Sequence, residues 1–500
     1  MRRIGLIMGA VLFLLLGCLC SAGAEEGGQP VLRALLIACD QFVTQDDTTP
    51  AAQTNVALME EALSRDGREY ALIRSEKGTV ATIDAFRAAV SGVFSGAQAG
   101  DISLIYISTH GLYNPARSSL TASLLLSDGL TEEELTAADL SDILSPIPGV
   151  KVLIIDACNS GALIGKGLND PNDRGMLRGA DIKVLCSAGG SEESWYWRSG
   201  PSGEGNGAGY FTSVLAAGLS PGGEWPADEN GDGTVTLHEL YRYMLDHFAA
   251  STPQVYPQEE DGFALFAAET SEEAGALDAV RDIWFDDTVF TGDLTEITFS
   301  FEITRPVGVA YQLVYDRAGV WDFASAPMLW DGENGETLEP GWYQRTLSLG
   351  LADEDTDVSG YLMLQIYSEE NDRLTLHDSR LLSVLPIEGD VALRVDVGRF
   401  FQPSRGEEMA ALVRHDIPCL LTVSVQDMRG ETVRYLARSE PTRPEHLTPE
   451  GDAFYWDGSK EDGTPAEPGR YMIKVRTEAG GDTYFAYSSW FTLSRGENAG

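Results

Sequence analysis

The stretch Val150-Lys151-Val152-Leu153-Ile154-Ile155-Asp156-Ala157-Cys158-Asn159-Ser160-Gly161 decides the fold. It reads as an apolar strand from Val150 to Ile155 that runs into a polar turn carrying a cysteine. Upstream, a second apolar strand from Ile102 to Ile107 ends in Ser108-Thr109-His110-Gly111. Both runs are short, continuous and apolar, as in strands buried on both faces of a parallel sheet. In open α/β sheets the carboxyl ends of such strands meet in a crevice where ligands bind. A thiol and an imidazole are therefore expected side by side at one edge of the sheet, a nucleophile beside a proton carrier.

Working outward, strand and helix patterns alternate from Leu32 to about Phe266. Leu35 to Ala38, Tyr70 to Ile73 and Val184 to Cys186 read as further strands. Val56, Met59, Ala62 and Leu63 lie at helical spacing. Ala81 to Val93 reads as a helix capped by Thr82. Glu132 to Ile143, Tyr210 to Leu219 and Leu240 to Phe248 read as further helices. The expected fold class is α/β, a mostly parallel sheet with helices on both faces. From about residue 280 helical periodicity gives way to short alternating strands and turns, as in all-β sandwiches. Trp330-Asp331-Gly332 with Pro340-Gly341-Trp342-Tyr343, and Trp456-Asp457-Gly458 with Pro468-Gly469-Arg470-Tyr471, form an internal repeat of two such domains.

The Thr109-His110-Gly111 and Asp156-Ala157-Cys158-Asn159-Ser160-Gly161 segments resemble those of the caspase-like peptidases, the group of caspases, metacaspases, clostripain, gingipain and legumain. The match is closest to metacaspase-like bacterial members. The resemblance implies a caspase-like domain over residues 30–268, with Cys158 as nucleophile, His110 as proton shuttle, and the N–H groups of Gly111 and Cys158 as the oxyanion site. It further implies that Asp156 lines the pocket for an Arg or Lys side chain at P1, through a charge-assisted bond. Tyr196 stands where metacaspases supply a second acid, and Glu192 and Glu193 are out of register with it. The W-D-G…P-G-x-Y pattern resembles the Ig-like module of flagellar hook-capping proteins, which places β-sandwiches at 280–388 and 389–496. The second copy fits better than the first.

Asp228-Glu229-Asn230-Gly231-Asp232-Gly233-Thr234-Val235-Thr236-Leu237-His238-Glu239 has the spacing of an EF-hand calcium loop. Asp228, Asn230, Asp232, the Thr234 carbonyl and Glu239 would be the Ca2+ ligands, with Gly233 at the sharp turn. A plain Asp/Asn/Gly turn that caps the next helix is the alternative. No organic cofactor is expected.

Formally the chain carries −42 charges at neutral pH, which excludes nucleic-acid binding and disfavours anionic membranes. Residues 1–24 read as a signal peptide for export. Ala22-Gly23-Ala24 offers a cleavage site, and Leu15-Leu16-Gly17-Cys18 resembles a lipobox that would lipidate Cys18. The bulky Leu16 favours simple secretion. No later run is long enough to span a membrane. Cys39 and Cys186 read as buried core thiols, although a disulfide between them is compatible with the spacing. Lys166, Arg174 and Arg178 lie after the cysteine as self-cleavage sites, with an uncut loop the plainer reading, and Gly200 to Gly209 reads as a loop near the cleft. The function expected is an exported cysteine endopeptidase acting on proteins or peptides. The alternative is an inactive homologue that binds a surface ligand through its Ig-like domains.

Overall fold

Continuous apolar runs build the central sheet of the computed structural model. It describes residues 30–494 except 45–50, 114–121, 169–176, 180, 198–206, 220–224, 259–261, 268–278, 292–295, 317–318, 324, 332–336, 349–358, 372, 388–389, 449–450 and 480–481. The signal-peptide and lipobox readings and Arg174 fall outside the described residues. Strands β1 (Leu32–Ala38), β2 (Tyr70–Lys77), β3 (Ile102–Ser108), β4 (Val150–Asp156), β5 (Ile182–Cys186) and β6 (Gln254–Tyr256) form one sheet in the order β6-β5-β4-β3-β1-β2. All neighbours run parallel except β6, which is antiparallel to β5.

Side chains alternate across this sheet. Leu36, Tyr106, Ile154 and Leu185 pack beneath helices α1 (Ala51–Ser64), α4 (Tyr210–Gly218) and α5 (Leu237–His247). Ile37, Ile105, Ile155 and Cys186 pack under α2 (Ile83–Phe94) and α3 (Ala137–Leu144). Thr82 caps α2 by accepting the Ala85 N–H at 3.1 Å. The helix expected from Glu132 begins only at Ala137. Residues Glu132–Thr136 pair instead with Ser123–Ser127, and a Thr136–Asp139 capping box starts the helix. The hairpin that follows His110 captures this segment for a small antiparallel sheet. Among the described residues no helix is long and apolar enough to cross a membrane.

Among the described residues beyond 279, strands and turns follow, with one single-turn 3-10 helix at Pro403–Arg405. Val280–Phe285, Glu296–Ile303 and Gly341–Ser348 form one sheet. Val289–Thr291, Gly308–Tyr315, Met328–Trp330, Gly360–Glu370 and Arg373–Leu385 form another, and the two share a core around Phe299, Phe301, Leu364 and Val384. A second pair of sheets encloses Trp456, Ile473, Val475 and Phe491. Tyr471, Ile473 and Val475 face that core, as the alternation predicts. Trp456 is fully buried, and its indole N–H donates to the Ser459 carbonyl at 2.7 Å. Trp330, its counterpart in the first copy, is 45% exposed, so only the second copy uses its tryptophan as a core anchor.

The α/β region and the first β region are not separate bodies. One continuous core joins Phe211, Leu215, Met244 and Phe248 to Val314, Tyr361, Met363, Tyr367 and Leu376. His247 and Arg380 meet the fully buried Asp378 across the same face, at 2.5 and 3.2 Å. Their charges bring the Asp378 carboxyl below its usual range against the upward push of burial.

Candidate active site

Register brings the two strand ends together. Ser108 pairs with Asp156 across β3 and β4, so His110 and Cys158 each lie two residues past the same rung. The Thr109 N–H donates to the Asp156 carbonyl at 3.2 Å and extends the ladder past the strands. Gly111 then passes hard against the cysteine backbone. A Cβ there would lie 1.7 Å from the Cys158 carbonyl oxygen, so only glycine fits.

The Cys158 thiol is held by Ser194. The sulfur accepts the Ser194 N–H at 3.3 Å and faces the Ser194 carbonyl at 3.7 Å. Burial pushes the thiol up to about 11. The Ser194 N–H opposes this, and the charges of Glu193 and Asp156 add to it. Without substrate the group is a protonated thiol at neutral pH, and a base must take its proton before it can attack. His110 is the imidazole at this edge. Its ring leans on Phe42, with centroids 4.4 Å apart and 51° between planes. The Phe42 loop is tied down by Glu132, which accepts the Val43 N–H at 2.7 Å and the Thr44 hydroxyl.

Asp156 sits at the end of β4, only 6% exposed, within a set of neutral donors. Ser194 Oγ donates to Oδ1 at 2.7 Å, while Thr212 Oγ1 at 2.7 Å and Asn55 Nδ2 at 3.2 Å donate to Oδ2. Because Thr212 gives its proton to Asp156, the 2.6 Å contact with Tyr106 makes the Tyr106 hydroxyl the donor to Thr212. Burial pushes the Asp156 carboxyl up, and the bonds from Thr212 and Ser194 restrain the rise. Among the described residues no Lys or Arg pairs with it. A buried carboxylate served only by neutral donors lacks its counter-charge. The Gly209 backbone packs directly against this carboxylate, since a Cβ there would come within 2.5 Å of Asp156 Oδ2.

Ser194, Asn55 and Thr212 are the contributors that motif reading does not nominate. Tyr196 forms a bridge with Gly209 and does not stand in for an acid. Glu192 turns away. It accepts the N–H groups of Gly189 and Thr252 at 2.9 and 2.7 Å, and burial pushes its carboxyl up to about 7. Lys166, one of the residues weighed for self-cleavage, is fully buried, pairs with Glu408 at 3.3 Å and lies over the Tyr455 ring. Arg178 is engaged with the Ile164 and Gly406 carbonyls, at 2.7 and 3.2 Å. Cys39 and Cys186 are buried thiols, as the core reading expects, and no disulfide joins them. A cavity of about 640 Å³ lies between the α/β region and the β-sheets, lined by Tyr241, Arg443, Asp452 and Tyr455, and neither Cys158 nor His110 reaches it.

In the Asp228–Glu239 segment Asp228 accepts the N–H groups of Gly231, Asp232 and Gly233 at 2.9, 3.2 and 2.8 Å. Gly231 and Gly233 adopt φ of +70° and +82°, which the tight loop requires. Glu239 caps α5 through the Thr236 N–H at 2.8 Å and receives Asn230 Nδ2 at 2.7 Å. Asn230 and Glu239 therefore converge, while Asp232 is turned onto Thr234. Among the described residues no group of three or more His, Cys, Asp or Glu side chains converges as a metal cage.

The family model of the caspase domain, Peptidase C14, matches residues 32–272. No curated protein matches the chain. Among solved structures, protein GSU0716 from Geobacter sulfurreducens is 16% identical, with 45% of this chain and 93% of that one covered and a TM-score of 0.31. Caspase-1 from Spodoptera frugiperda is 15% identical, with 38% and 70% covered and a TM-score of 0.25. Dimeric latent PorU from Porphyromonas gingivalis is 10% identical, with 43% and 20% covered and a TM-score of 0.18. Residues 32–272 are thus a caspase domain of the C14 peptidase family, set in front of a strand-rich C-terminal region.

Proposed function

We propose that this chain is an exported cysteine endopeptidase that cleaves protein or peptide substrates after Arg or Lys. The observation that carries the reading is the shared rung of β3 and β4, which sets His110-Gly111 against Cys158. His110 takes the Sγ proton as the thiolate attacks the scissile carbonyl carbon. The N–H groups of Gly111 and Cys158 hold the resulting oxyanion, a contribution of ~2.7–4 kcal/mol for each donor. The tetrahedral adduct collapses to a thioester, and the leaving amine takes the proton from His110. Water then gives a proton to His110 and attacks the thioester. The acid product leaves, and the proton returns to Cys158.

Basic P1 selectivity rests on Asp156. A substrate guanidinium or ammonium would supply the counter-charge that its ring of neutral donors lacks. Peptides differing only at P1 (Arg, Lys, Asp, Asn) test this. Asp156→Asn is expected to lower kcat/KM for the Arg peptide about 100-fold, the cost of truncating one side of a buried charge pair. Binding of the Arg side chain needs the ionised carboxylate. Since burial raises the Asp156 carboxyl, activity on Arg peptides should fall on acidification at a higher pH than an ordinary carboxylate would set. Preferred cleavage after Asp or Asn would refute the pocket.

The reading includes a calcium ion held by Asp228, Asn230, Asp232, Thr234 and Glu239. It would supply positive charge to three carboxylates on the loop that enters α5. Calcium should then raise the melting temperature of the wild type and leave that of Asp228→Ala unmoved. A wild type indifferent to calcium removes the metal from the reading.

A further inference from the structure

The walls of the Asp156 pocket are held from outside the caspase domain. Ser194, which binds both the Cys158 sulfur and Asp156, is followed by Trp195, and the Trp195 carbonyl accepts the Tyr210 N–H at 3.0 Å. That bond ties the Ser194 segment to the start of α4, just after Gly209. Both arms rest on Phe323, in the turn after Gly308–Tyr315 of the first β region. The Tyr210 ring stacks on Phe323 at 5.8 Å and 13°, and the Trp195 ring lies 6.2 Å from it. Trp197 packs on Tyr210 and on the edge of Tyr367, at 5.1 and 6.1 Å. The Tyr210 hydroxyl is buried towards Tyr367 and Gln365, and Tyr367 donates to Gln365 at 2.9 Å. Trp195, Trp197 and Tyr210 therefore each meet a β-region ring.

We infer that Phe323 is a positioning residue for substrate binding, and that the first β region is a structural part of the peptidase's pocket. The inference rests on the peptidase reading above. Phe323 touches neither Cys158 nor Asp156. It fixes the arms that aim Ser194 at both. Without its ring, Trp195 and Tyr210 lose their shared support, and the pocket walls sample other positions while the thiol and His110 keep their strand ends.

The test is a comparison of Phe323→Ala, Phe323→Leu and Phe323→Tyr in the full chain. Its readouts are KM and kcat on the Arg-P1 peptide and the rate of Cys158 alkylation by iodoacetamide. Loss of two ring contacts predicts a KM about tenfold higher in Phe323→Ala, with kcat changed by less than about threefold. Phe323→Tyr, which keeps the ring, should restore KM to within about twofold of wild type. If Phe323→Ala does not fold, Phe323→Leu is judged by the same KM criterion. A wild type that cleaves and an Ala variant with unaltered KM overturn this inference alone. A wild type that cleaves no peptide and does not label overturns the peptidase reading, and this inference with it.

Discussion

Cys158→Ala is expected to abolish peptide hydrolysis, a loss on the order of 10⁶ in kcat where the sole nucleophile is removed. The fold should survive the change. Among the described residues the sulfur hydrogen-bonds with Ser194 alone, and nearby Ala157 and Ser160 are buried and bonded independently of it. Labelling of the wild type by iodoacetamide, located by mass spectrometry, should fall on Cys158, because Cys39, Cys186 and Cys419 are buried. The pH dependence follows from the same geometry. With the thiol pushed up to about 11, the thiolate fraction and the alkylation rate rise about tenfold per pH unit, with no plateau near neutrality. A plateau at neutral pH would mean a resting thiolate–imidazolium pair, in which burial no longer keeps the thiol protonated. Hydrolysis that persists in pure Cys158→Ala would overturn the nucleophile itself. A folded wild type that neither hydrolyses nor labels would leave the binding-protein alternative.

The neighbourhood of His110 and Cys158 could be read from sequence because its parts are local. Each motif follows an unbroken apolar strand, and parallel register then fixes their neighbourhood. The pocket around Asp156 was not legible in the same way. Asn55, Ser194 and Thr212 are single polar residues on three separate segments, with no spacing that marks them. Only the packing of α1 and α4 on one face of the sheet brings them to the same carboxylate. Lys166 illustrates the converse. A lysine in a polar linker reads as exposed, yet Glu408 and Tyr455, more than 200 positions away, bury it. The docking of the β region did leave a trace. Tyr361-Leu362-Met363-Leu364-Gln365-Ile366-Tyr367 is apolar at every position but one, where a sandwich strand with a solvated face would alternate. Such a strand needs cover on both faces, and the helices α4 and α5 supply the second.

That cover predicts the outcome of cutting the chain. A truncation ending at residue 272 keeps the whole caspase-domain match but strips Val314, Trp321, Tyr361, Met363, Tyr367 and Leu376 from the core face of α1, α4 and α5. Exposing even four large apolar side chains at about 1.5–3 kcal/mol each reaches the total stability of an ordinary domain. The cut also removes Glu408 and Tyr455 from Lys166. Because Glu408 and Tyr455 are what bury it, Lys166 then returns to water with its charge hydrated, and its loss of partner adds little to the destabilisation. The truncated protein should therefore aggregate, or melt more than about 10 °C below the full chain. A cut near residue 388 restores the aromatic cover of the helices but removes the second β region's contacts to Lys166, Gly167, Arg178, Ser251, Gln258 and Tyr361. Its melting temperature should fall between the other two. A 272-residue fragment that is soluble, monomeric and as stable as the full chain would show that the β regions are appendages. The wall of aromatic residues behind Ser194 would then have to stand without them.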